Sequence, residues 1–180
     1  MDLALLRRYR IALLIFIAGL VLSGLTAFPL LHEMRLLASW MGIGDSAAYS
    51  DLSGLEHWIA FVLHGLEQTH ARFPFIAYGT DWLAYGHIAI ALFFIKPLKH
   101  PLESDWVLRT GLWLCVGVIP LALIAGEIRG IPFYWRLIDC SFGIFGALPL
   151  LYCLRLTRRL RDPNLKVKYQ TNRTAVFKAD

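Results

Sequence analysis

Arg136 and Asp139 lie three residues apart in the stretch Ile131–Leu154, which is otherwise free of charge and long enough to cross a bilayer. An ionised side chain in hydrocarbon is costly, about 3 kcal/mol even on insertion scales, so such groups pair or mark a site. Their spacing places them on one helix face, where a guanidinium and a carboxylate can bond. Glu127 and Arg129 stand just ahead of the stretch and extend the pair into a cluster. Arginines so placed can hold an anionic headgroup, a quinone or a carboxylate. The structural alternative is that the cluster only fixes the local turn.

Asp81 and His87 share a second apolar stretch, Phe73–Ile95. Asp81 suits proton handling or ligand pairing, with helix capping by Thr80 or Asp81 as the competing role. His87 is a lone histidine on an apolar helix, where a hydrogen-bonded core residue is commoner than a ligand. A bis-His haem b needs a second histidine at similar depth, and no other apolar stretch holds one. Haem or quinone is therefore considered but not favoured. His57 and His64 are seven residues apart on one face of a third segment; solvated histidines are the bland reading, descent toward His87 the functional one. Glu67-Gln-Thr-His70 matches the Glu-x-x-His element of di-iron bundles, but it occurs once, whereas those bundles need two copies. No metal site is assigned. Walker A, His-Glu-x-x-His, G-x-S-x-G and Rossmann glycine patterns are absent, so no catalytic residue is named.

The elements that must position these groups follow from composition. Of 180 residues, 57% are hydrophobic and 17% charged, against roughly 25% charged in soluble domains. One soluble core cannot hide so much apolar surface. Four segments approach the span length of about 20 residues: 11–31, 73–95, 106–128 and 131–154. Arg7, Arg8 and Arg10 precede the first, Lys96 and Lys99 follow the second, and the tail 155–180 is basic. Segment 32–72 carries Glu33, Asp45, Asp51, Glu56 and Glu67 against Arg35 and Arg72. Every loop then obeys the positive-inside rule, with both termini cytoplasmic. That bias explains the net charge of +5 without a nucleic-acid partner. An uncleaved first span is expected; the alternative is a signal peptide cut near Ala27, but no A-x-A site is present. Cys115, Cys140 and Cys153 all fall within spans and read as small core residues.

Within the outer segment, Leu52, Leu55, Ile59, Val62 and Leu66 form an amphipathic stripe. It predicts a helix over 53–72, opened by a Ser53–Glu56 capping box and stopped near Pro74. Gly19, Gly24, Gly143, Gly146 and Ala147 are expected close-packing points. Gly126–Pro132 is read as the turn between spans three and four.

The expectation is an all-α polytopic protein of the inner (cell) membrane: a four-span domain over 1–154, one amphipathic outer-face helix, and a basic cytoplasmic tail. Asp81, His87, Glu127, Arg129, Arg136 and Asp139, with His57 or His64 above them, would form one ligand site at the outer (periplasmic) face. The expected function is a binding or accessory subunit, in contact with the bilayer and with other membrane subunits. The alternatives are an electron-transfer or oxidoreductase protein carrying haem or quinone, and a small-solute or proton-coupled carrier.

Overall fold

Proline placement decides where the apolar stretches become separate helices. The structure is a computed structural model and describes residues 2–44, 50 and 52–161. Among them every regular element is helical. Helix α1 is Leu3–Ala27 and α2 is Leu30–Trp40. The first span was expected at 11–31. The helix instead starts eight residues earlier and stops at Ala27, because Pro29 disfavours helical geometry at Phe28. Leu30 and Leu31, expected to finish the span, open α2.

Helix α3, Gly54–Arg72, ends ahead of Pro74 as expected. The capping box does not form: Ser53 occupies the cap position with extended backbone but makes no side-chain cap bond. Gly54 adopts φ +58° at the first helical position, which departs from the helical φ that the capping geometry needs.

The expected 73–95 span is interrupted twice. A 3-10 turn covers Pro74–Ala77, α4 covers Tyr78–Phe93, and the short α5 covers Ile95–Lys99. Pro97 has no N–H to bond the Phe93 carbonyl, so α4 ends there after 16 residues. Helices α6, Asp105–Ile128, and α7, Phe133–Arg161, complete the chain. Three helices, α1, α6 and α7, are long and apolar enough to cross a membrane, one fewer than expected. Asp45, Asp51 and the tail beyond Arg161 lie outside the described residues.

The chain forms two units, Met1–Gly19 with Leu92–Asp180, and Leu20–Ala91. In the first, α6 and α7 make an antiparallel hairpin. Arg136, Cys140, Gly143, Leu150 and Arg161 of α7 each meet α6 or the residues leading into it. With Ala147, Leu154 and Thr157 they step by four and three along the helix, the spacing of a supercoiled seam. Small residues let the backbones approach: a Cβ on Gly143 would collide with the Cys115 carbonyl, and one on Gly111 would lie 2.9 Å from Leu150. A neighbouring stripe of α7 receives α1. Cys153 Sγ donates to the Tyr9 carbonyl at 3.6 Å, and a Cβ on Gly146 would sit 3.5 Å from Phe16. Tyr9 is fully buried and donates to the Pro97 carbonyl at 3.1 Å. Phe16 meets Phe94 edge-on at 4.8 Å.

One end of this unit therefore gathers the start of α1, α5, the start of α6 and the end of α7. Arg7, Arg8, Arg10, Lys96, Lys99, Arg155, Arg158 and Arg159 are exposed around it. The opposite end is the α6–α7 turn. Helix α6 runs through Gly126, which was expected in the turn. Gly130 at φ +70° carries the reversal. Ile131 N donates to Gly126 O and Gly130 N to Glu127 O, the paired bonds of a glycine-terminated helix end.

In the second unit, Gly24 brings the end of α1 against α4; a Cβ there would lie 2.8 Å from the Ala84 carbonyl. Gly19, also expected at a close approach, has nothing within 4 Å of a built Cβ. Arg35 of α2 bonds Glu67 of α3 at 2.9 Å.

Candidate functional site

A concavity lies wholly within the second unit. It is a half-open crevice of about 330 Å³ between the α1–α2 corner, the end of α3, the 3-10 turn and the start of α4. The turn at Phe28–Pro29 folds α2 back toward α3, and Pro74 breaks the chain after α3, so neither side closes over the space. Phe28, Pro29, Leu30, Leu31, Leu66, Phe73, Ile76 and Ala77 form its apolar wall. Its polar members are His32, Arg35, Thr69, His70 and Thr80. The volume is at the lower end of small-molecule sites, and an apolar wall with a few convergent polar groups is their usual make-up.

Arg35 reaches Glu67 through Nε, which leaves the terminal guanidinium nitrogens as a donor fork. Thr80 Oγ1 donates back to the Ala77 carbonyl at 2.7 Å and joins the 3-10 turn to α4. Among the lining residues there is one permanent cation, two imidazoles, two hydroxyls and no carboxylate. Such a lining can hold an amphiphile by its apolar part and donate to an anionic or carbonyl group.

Four of the residues singled out in the sequence belong to this unit. Asp81 is half-buried in the first turn of α4, where the helix N-terminus favours a carboxylate. Helix α4 starts at Tyr78, so neither Thr80 nor Asp81 is its cap. His87 is half-buried one and a half turns further on, and its Nδ1 donates to the Leu83 carbonyl at 2.9 Å; its Cβ lies against the Gly24 position. His57 stacks near Phe61, and His64 Nε2 lies 2.9 Å from Gln68 Nε2. None of the four lines the crevice.

The other four belong to the first unit. Arg136 does not take Asp139 as its partner. It pairs with Glu127 of α6, donates from Nη1 to the Leu123 carbonyl at 3.3 Å, and rests over Phe133 at 5.4 Å. The seam explains the choice, because residue 136 lies on the α6-facing stripe and 139 is rotated off it. The Arg136 side chain is 12% exposed, and its Nε is buried without a hydrogen bond. Asp139 is half-buried one heptad before Gly146, and no hydrogen bond or ion pair to it occurs among the described residues. Arg129 is exposed at the end of α6.

Sequence reasoning missed His32, Arg35, Thr69 and His70 as crevice residues. The available signal was Pro29 inside an apolar run, which turns the chain and brings 28–35 to one side of α3. Among the described residues no group of three or more His, Cys, Asp or Glu side chains is placed to hold a metal ion. The chain matches no protein-family model, no curated protein and no solved structure.

Proposed function

We propose that the protein is a small multi-pass membrane protein that binds a ligand at the outer face, as a binding or accessory subunit and not as a catalyst. The observation that carries this reading is the apolar crevice with convergent donors in the second unit. The basic residues exposed at one end of the first unit support cytoplasmic termini. Helix α4 has a rise of roughly 24 Å and the 3-10 turn adds about 8 Å, enough together for a fourth pass through about 30 Å of hydrocarbon. On that topology α3 lies at the outer surface.

Two measurements test this. Reporter fusions are expected to place residues 5, 100 and 170 inside and 50 and 130 outside; an external C-terminus would overturn the topology. Native mass spectrometry of the detergent-purified protein is expected to show a co-purifying small molecule that Ala77→Trp, which fills the crevice, displaces. Retention of that mass by the filled variant would remove the crevice as its site.

A second reading, a proton-coupled carrier, is favoured by one observation, the half-buried Asp139 without a described partner. Proton-driven solute uptake in proteoliposomes that Asp139→Asn abolishes would raise it above the first.

A further inference from the structure

We propose that the crevice holds a membrane phospholipid with an anionic head, its phosphate on Arg35 and one acyl chain along the apolar wall. The inference rests on the binding reading above and names the ligand class. Three observations converge on it. The lining has no carboxylate, and its one permanent cation, Arg35, is held by Glu67 through Nε alone. The two terminal nitrogens of a guanidinium match the paired oxygens of a phosphodiester, and His32, His70 and the Thr69 hydroxyl stand within the same crevice as further polar partners.

The wall is apolar, and about 330 Å³ holds on the order of eleven water-sized groups at ~30 Å³ each. That fits a headgroup and the first part of one chain, not a whole two-chain lipid. The remainder would leave through the open side.

The third observation fixes the level. Phe75 in the 3-10 turn and Tyr78 at the start of α4 are each more than half exposed. Exposed Tyr and Trp concentrate where bilayer meets water, so a crevice lined by the same 3-10 turn opens among headgroups, where phospholipid is the abundant amphiphile.

The test uses the full chain, delipidated in detergent, titrated separately with dioleoyl phosphatidylglycerol and dioleoyl phosphatidylcholine. Bound lipid is counted by native mass spectrometry. The wild type is expected to prefer phosphatidylglycerol about tenfold, because both lipids present the same phosphodiester but the choline ammonium of phosphatidylcholine offsets its charge beside the Arg35 guanidinium. Arg35→Gln is expected to bring the preference below about twofold on the same scale, Arg35→Lys to keep part of it, and Glu67→Gln, which leaves the arginine in place, to keep all of it. Inorganic phosphate is expected not to displace the lipid, because the chain contributes to holding it. Displacement by phosphate would replace the lipid with a free anion as the ligand. Equal binding of the two lipids, or an undiminished preference in Arg35→Gln, would overturn the headgroup inference. If Ala77→Trp still weakens binding in that case, the crevice survives as a site. If Ala77→Trp changes nothing, the site reading itself fails.

Discussion

The α6–α7 hairpin and the crevice of the second unit use the same kinds of residue to opposite ends. In the hairpin, Gly143 lets α7 meet the Cys115 backbone, Gly111 makes room for Leu150 and Gly126 for the Arg136 side chain, and arginines close both ends, Arg136 on Glu127 and Arg161 on Asp105. Its ion pairs link one helix to the other. In the crevice, the chain turns at Pro29 and Pro74, and Arg35 donates from Nε to Glu67. The hairpin arginines sit at the ends of a packed seam, with Arg136 Nε itself buried without a hydrogen bond, whereas Arg35 lines an apolar hollow. Charge near or within a membrane span is therefore not by itself a sign of a site. The partner of each charge decides.

The sharpest way to break this contrast is to put bulk into the seam. Gly143→Leu places side chain on the Cys115 backbone, which helix packing cannot relieve without separating α6 from α7. A loss of about 3 kcal/mol is expected, the upper range for overpacking. Gly79→Ala, in α4 with nothing within 4 Å of a built Cβ, is expected to be neutral or stabilising by up to about 1 kcal/mol through helix propensity. Thermal unfolding in detergent reads both. Equal effects would mean that the seam is not where the hairpin is held.

Next in size is the Arg136 pair. A buried arginine stripped of its carboxylate is the expensive state, roughly 3–5 kcal/mol for a fully buried pair. Glu127 is 71% exposed, so solvent screens it and a coupling of about 1–2 kcal/mol is expected. A double-mutant cycle with Arg136→Gln and Glu127→Gln should show that coupling, while Arg136 with Asp139→Asn should stay within about 0.5 kcal/mol of additivity. Reversal of the two results would move Asp139 into the structural cluster and remove it as a functional residue.

That prediction also marks how far the sequence could be read. Apolar length pointed to four spans, of which three are helices able to cross a membrane, and Pro74 gave the end of α3, because that signal is local. Gly24, Gly143 and Gly146 were legible as packing points, since a glycine in an apolar helix has few other uses; Gly19 shows that the inference needs a partner helix to be true. The partner of Arg136 was ambiguous because Glu127 and Asp139 are both within reach in sequence. Only the alternating steps of four and three from Arg136 to Arg161 decide it, and that pattern is diluted by cysteine and glycine, which carry little hydrophobic signal. The crevice was illegible for a different reason. His32 and Arg35 meet Thr69, His70 and Thr80 through a corner at Phe28–Pro29 that an apolar count runs straight across.

The smallest expected effect concerns the pair that looks most like those of the hairpin. Arg35 and Glu67 are 2.9 Å apart, as close as Arg161 and Asp105, but their side chains are 57% and 42% exposed. An ion pair that open to water contributes about 0.2–1 kcal/mol, and often nothing measurable. Arg35→Gln and Glu67→Gln are each expected to shift unfolding by less than about 0.5 kcal/mol, with coupling of the same order. Arg161→Gln, which also gives up the bond to the Leu102 carbonyl, is expected to lose more, about 1 kcal/mol. If the Arg35 variant proved as destabilising as the Arg161 variant, Arg35 would be another clamp and its fork would be engaged within the fold. If it is as mild as its exposure implies, binding measured on it reports ligand contacts and not a weakened scaffold.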